Sequence, residues 1–287
     1  MNKQMPLDPS YFSNEPWRDR VLRWLNAPEQ ADSFLGSNVR LIRQIMEHEE
    51  SGLRVVVNIS AHALLTFLSE RRYRNLYERP IIGGVRREPS PERLQIDQQL
   101  DFGPCAPHYY FGAVALGGTG VRFYGEYCMA LAPSAVDGDS QIFDRDSYDL
   151  LLPPLSNVAD AVRMLRGKWD GDRIDMLLLK LLPEVRGTHR LITTGTVSEM
   201  ILHDQEFVEA HLHMPNGFSP TDVQELRLSP DEMALEARIL TRSNAGFPPT
   251  AVEIRWLSQR DAVVRALEAS GLHYRVVTLH GRGYQWR

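Results

Sequence analysis

The stretch "LRVVVNISAHALLTFLSE", residues 53–70, changes its apolar period halfway along. Leu53, Val55, Val57 and Ile59 alternate with Arg54, Asn58 and Ser60, the period of a strand with one face turned to a core. From Ala61 onward the apolar residues follow a helical spacing, and Ser60 stands where a helix cap belongs. A strand that runs straight into a helix, in a chain with further strands of its own, predicts an α+β domain.

Upstream, residues 12–50 read as helical, with Val39, Ile42, Ile45 and Met46 on one stripe. Downstream, residues 79–107 hold prolines, glycines and many charges, and read as a long loop with one short strand. A loop that long in a compact domain is more often functional than idle. Two strands follow, "YYFGAVAL" (109–116) and "VRFYGEYCMAL" (121–131), joined by the turn "GGTG" as a hairpin. Helices are expected near 156–167 and 172–182, and strands at "HRLITTG" (189–195) and "EFVEAHLHM" (206–214). The last fifty residues read strand–helix–strand, "TAVEIRWLS", "RDAVVRALEASG", "HYRVVTLHG", with Gly271 the helix stop. The sum is one main sheet, mostly antiparallel in the middle. No internal repeat or linker marks a clean boundary, so residues 1–50 are assigned as an N-terminal helical segment and 51–287 as the main domain, including the C-terminal strand–helix–strand 248–287.

Composition narrows the function. With 287 residues, 43% hydrophobic and 24% charged, the chain is of ordinary globular type. A net charge of −5 and a pI near 6.0 argue against nucleic acid and anionic membranes as partners. No apolar run reaches the roughly 18 residues of a membrane span. The two cysteines, Cys105 and Cys128, fit no metal spacing and read as buried, reduced thiols. The N-terminus lacks the apolar core of a secretory signal. The expected location is the cytoplasm, or a host cell entered without a cleavable signal.

The chemistry concentrates in "EFVEAHLHMPNG", residues 206–217. On a strand, Glu209, His211 and His213 share one face. His-x-His with a neighbouring carboxylate is a weak zinc pattern, and no HExxH supports it. The glycines of "ALGGTGVRF" lack the GK[ST] of a phosphate loop, and no GxSxG elbow exists. A carboxylate on a strand suits scission of the nicotinamide–ribose bond of NAD, where an anion stabilises an oxocarbenium-like ribose and aromatic rings hold the nicotinamide.

These segments, taken in order, resemble a family. "LRVVVNISAHALLTFLSERRYRNLYE", "HYYFGAVAL", "VRFYGEYCMALAPS", "FDRDSYD" and "FVEAHLH" are similar to a family of bacterial proteins with the ADP-ribosyltransferase fold, including effectors that ADP-ribosylate ubiquitin on threonine. The likeness spans roughly residues 50–235. It matches the family's first-strand histidines to Asn58 and Ser60, its "YG…RFG" block to Phe111-Gly112 and Arg122–Gly125, its "GDS" to Asp146-Ser147, and its acid-bearing strand to Glu209, His211 and His213. It implies a split, mostly antiparallel sheet with flanking helices and NAD as substrate. Glu209 would be the catalytic acid, with His211 or His213 as proton acceptor. Arg54, Asn58, Ser60, Tyr110 and Tyr124 would contact NAD, and the partner would be a protein acceptor, ubiquitin being the named example.

Two departures shape that expectation. Phe207 stands where arginine-modifying enzymes keep Glu or Gln, which favours a hydroxyl acceptor. Asn58 replaces a first-strand histidine. The rivals are a non-catalytic interaction protein on the same fold, and a metal-dependent hydrolase built on Glu209, His211 and His213.

Overall fold

The computed structural model describes residues 16–25, 34–48, 52–75, 77–78, 89–138, 140–153, 155–187, 192–202 and 207–277. In chain order these form α1 (Trp17–Leu25), α2 (Phe34–Glu47), β1 (Arg54–Ile59), α3 (Ala61–Glu70), α4 (Pro91–Gln99), β2 (Tyr109–Ala115), β3 (Tyr127–Leu131) and β4 (Gln141–Phe143). There follow α5 (Ala161–Leu165), β5 (Arg166–Lys168), α6 (Trp169–Gly187), α7 (Thr194–Ile201), β6 (Glu209–His213), β7 (Val223–Leu228), α8 (Pro230–Asn244), α9 (Ala251–Ser270) and β8 (Tyr274–Val276). The strands make one open sheet in the order β5-β4-β6-β2-β1-β3-β7-β8. Each pair is antiparallel except β7 with β8. The α+β reading with a mostly antiparallel sheet is therefore what the chain adopts.

The alternation read in β1 holds, with Val55, Val57 and Ile59 buried on one face. Val56, on the other face, is 1% exposed, so both sides of this strand are covered. The core on the first face joins β1, β2 and β3 to α2, α3, α6 and α9. Phe67 of α3, Met176, Leu177 and Leu181 of α6, and Val263 and Leu267 of α9 belong to it. The stripe on α2 also packs there, with Ile42 and Met46 buried. A second apolar cluster holds Ile96, Leu100, Phe102, Phe143, Leu150 and Leu165, with Phe111 packed against it. Ser60 caps α3 through its side chain to the amide of Ala63, and Gly271, at φ +69°, stops α9.

Five sequence expectations change. The region 79–107 is no simple loop, because α4 and a 3-10 turn at Gly103–His108 occupy its described part, while 79–88 lie outside the described residues. β2 and β3 do not form a hairpin; β1 pairs with both and lies between them. No strand forms at 192–195, where Thr193 caps α7 with a reciprocal bond to Thr196, and residues 189–191 lie outside the described set. The expected strand at 250–258 is the first half of α9, started by a capping box between Thr250 and Glu253. Cys105 is also exposed, while Cys128 is buried as expected.

The connection from β2 to β3 explains how β1 comes to lie between them. Residues 116–126 cross over β1 and are bolted to it by one side chain. The Asn58 amide donates to the carbonyls of Thr119 (2.9 Å) and Gly125 (3.0 Å), and its oxygen accepts from the amide of Val121 (2.8 Å). The crossing is so close that a Cβ on Gly120, itself at φ +64°, would stand 2.2 Å from the Asn58 oxygen. On Gly125 it would stand 2.1 Å from the Ile59 carbonyl carbon. Only glycine permits that approach.

Candidate active site

Pairing between β1 and β2 is confined to Arg54–Val56 against Ala113–Ala115. Beyond it, β1 continues with β3 as far as Ile59–Tyr127, and β2 continues with β6 as far as Tyr109–His213. The sheet therefore splits, and the two halves diverge around a cleft of about 270 Å³. Val57 and Asn58 line one side, Tyr110, Phe111 and Gly112 the other, and Phe207 and Glu209 come from β6 and its approach. Arg93 of α4, Tyr124, Asp146 and Tyr148 complete the wall.

Glu209 is the charged group most firmly held there. It is 5% exposed, and its carboxylate accepts from the Ser147 amide (2.6 Å) and hydroxyl (3.1 Å) and from His211 Nε2 (3.2 Å). Burial alone would raise its pKa. Hydrogen bonding and attraction to His211, the charge of Arg93 and the Ser147 amide outweigh burial, so the carboxyl is held below the usual glutamate value. It is an ionised carboxylate at neutral pH, desolvated at the edge of a cleft. Asp146 adds a second carboxylate, accepting from the Tyr148 amide (3.0 Å) and lying 3.4 Å from the Tyr124 hydroxyl.

His211 does not reach the cleft. Its ring is fully buried among Phe102, Phe111 and Phe143, with centroids 5.5, 5.2 and 5.9 Å away. Nδ1 has no hydrogen-bond partner, and Nε2 faces the ionised Glu209 carboxylate, to which it donates. His213 is exposed at the far end of β6, packed against Tyr109 (5.1 Å between ring centroids). The proton-accepting role expected of these histidines does not fit their placement; His211 backs the acid and His213 lies apart. Nor do the three side chains form a metal site, and no group of three possible ligands exists among the described residues.

The expected NAD contacts divide as well. Tyr110 and Tyr124 line the cleft, the first 2% and the second 48% exposed. Asn58 lines it too, but its amide is spent on the crossing loop. Ser60 is a helix cap, and Arg54, at the closed end of the split, bonds Gln224 (2.9 Å). Replacing Asn58 by alanine leaves two carbonyls and one amide of a buried loop without partners. The expected cost is about 3 kcal/mol in denaturant unfolding, the upper range for such groups taken together. A cost within 0.5 kcal/mol would mean that the loop holds itself.

Arg93 was not read from the sequence. Its guanidinium is buried, bonds Asp97 on the same helix (Nε at 2.9 Å) and lies 3.8 Å above the Phe111 ring. Asp97 in turn accepts from the Tyr77 hydroxyl. The signal was present: "SPE" at 90–92 is a cap followed by proline at the first helical position.

The chain matches no family model, no curated protein and no solved structure. Among the described residues, no helix is long and apolar enough to cross a membrane.

Proposed function

We propose that the protein is an NAD-dependent mono-ADP-ribosyltransferase acting on a side-chain hydroxyl. The observation that carries this reading is an ionised, buried carboxylate, Glu209, at an aromatic-lined cleft opened by the split between β1 and β2. The cleft is lined by rings suited to a planar cationic leaving group, with Tyr124 and Tyr148 the exposed ones. As the bond from ribose C1′ to the nicotinamide nitrogen breaks, its electron pair goes to the ring and positive charge develops on the sugar. Glu209 stabilises that charge, and Ser147 and His211 fix the carboxylate so that it needs no reorganisation. The acceptor oxygen bonds to C1′ and gives up its proton. Asp146 takes the base role in place of the histidines, because it is the other carboxylate lining the cleft.

The test is incubation with adenylate-labelled NAD and hydroxyl-bearing acceptors, ubiquitin first because the sequence resemblance points to it. Nicotinamide release and label transfer are expected. Asp146→Asn is expected to lower transfer at least tenfold while sparing slow release of nicotinamide to water. Equal loss of both would remove Asp146 from the base role.

One observation favours a second reading, a non-catalytic interaction protein. Asn58 is committed to the crossing loop through its oxygen and both amide donors, which leaves only the hydroxyl proton of the helix-capping Ser60 to meet a ribose from the end of β1. Calorimetry that finds no NAD binding would decide for that reading.

A further inference from the structure

A second cavity lies on the outer edge of the sheet and shares no lining residue with the cleft. Its volume is about 870 Å³, within the range of sites for small molecules. β4, β5, the N-terminal turn of α1 and the 155–163 segment enclose it, with the exit from α4. The two sites are on the same sheet face, since Gln141 of the cavity pairs across the ladder with His211. The rings of Phe143 and Phe102, packed on His211, stand between them.

Charge distinguishes this cavity from the rest of the molecule. Arg18, Arg163, Arg166 and Lys168 line it against two carboxylates, Asp101 and Asp160, in a chain whose net charge is −5. Arg18 is already matched by Asp172 (2.6 Å), whereas Arg166 forms no ion pair among the described residues. One of its terminal nitrogens donates to the Leu100 carbonyl (2.5 Å), its Nε is enclosed without a partner, and no ion pair joins it to a carboxylate among the described residues. It is held in place from both ends: its own carbonyl accepts from the Trp17 indole (3.0 Å), and its guanidinium lies 5.9 Å from the Phe102 ring. Gln141 Oε1, in the same wall, is also enclosed and unpartnered. Burial outweighs the longer-range attraction of Tyr109 and Asp101 and holds the guanidinium pKa below its ordinary value, so the charge of this half-buried cation is only partly offset.

We infer that this cavity is a binding site for a phosphorylated small molecule, its anionic end on Arg166, Arg163 and Lys168. The uncharged part lies along Leu155, Val158 and Val162, the apolar side of the same cavity. Bidentate contact from a guanidinium is the usual answer to a phosphate. The size of the cavity admits a nucleotide, and the chain's net charge of −5 disfavours a polyanionic polymer. This site does not depend on the reading of the cleft.

The experiment is titration of the full chain with ADP and with inorganic pyrophosphate, at constant ionic strength, with hydrogen exchange as the footprint. Saturable one-to-one binding that protects residues 155–168 is expected. Arg163→Ala with Lys168→Ala, both on the cavity rim, should weaken it at least tenfold, and Arg166→Gln should do the same if it folds. Protection confined to residues 109–113 and 146–148 would place the ligand in the cleft and overturn the proposal. So would binding that matched sulfate abolishes, or binding unchanged in the double variant. Tighter binding of a single-stranded oligonucleotide than of ADP would overturn it as well.

Discussion

Glu209→Gln is expected to reduce nicotinamide release from NAD by about 10²–10³-fold, the loss typical of removing one preorganised charge-stabilising group. The glutamine still accepts from the Ser147 amide, so the fold is expected to survive and the effect to fall on turnover. A variant that retains a tenth of the wild-type rate would remove Glu209 from the catalytic role. The depressed pKa adds a pH signature. Folded-state Glu209 titrates below the roughly 4.3 of an unfolded glutamate. It therefore stabilises the fold at every pH above that value, and this contribution disappears as pH falls through the lower folded-state value. The rate attributable to the carboxylate should then stay flat from neutral pH down to about pH 5. A fall in rate with a midpoint near pH 6 would contradict the ionised state assigned here.

Arg93→Leu is expected to be the most damaging substitution for stability, at about 3–5 kcal/mol, the range for breaking one side of a buried ion pair. It leaves the buried Asp97 carboxylate with the Tyr77 hydroxyl but without its guanidinium, and takes away a positive charge that helps keep Glu209 ionised. Two effects should appear together: a lower unfolding midpoint in denaturant and an upward movement of the acid limb of any Glu209-dependent rate. A stability loss without the pH movement would confine Arg93 to a structural role. Arg93→Lys preserves charge but cannot reproduce the two-nitrogen contact with Asp97, so it should restore the pH behaviour better than the stability.

Much of the fold was legible in local patterns. Period-two alternation found β1 and β6, the α2 stripe found its buried face, and Ser60 and Gly271 marked the ends of α3 and α9. Two misread segments carried usable signals. Thr250–Glu253 is a capping box, and Ser90-Pro91-Glu92 a helix start, yet the apolar residues of "AVEIRWL" read as well in period two, and the charges of 89–100 read as loop. In both, capping chemistry was the better guide.

The site divides in the same way. Spacing alone placed Glu209, His211 and His213 on one face, and that is where they lie. What spacing could not give is depth. Two residues along one face, His211 is sealed beneath three phenylalanines and His213 is open to solvent, because Phe102 and Phe143 come from elsewhere in the chain. Arg93, Ser147 and Asp146 likewise reach the cleft from segments 62 or more positions from Glu209.

The sequence by itself thus determined β1, β6, the buried stripe of α2 and the face that Glu209 shares with His211 and His213, because helix caps, alternation and charge act over a few residues. Only the tertiary structure decided that β1 lies between β2 and β3 and that its pairing with β2 ends at Val56. Strand order is settled by long-range pairing, here by one asparagine and two glycines that let the crossing chain lie flat on its neighbour. That crossing, with the split beside it, puts an aromatic turn and an ionised carboxylate on the walls of one cleft.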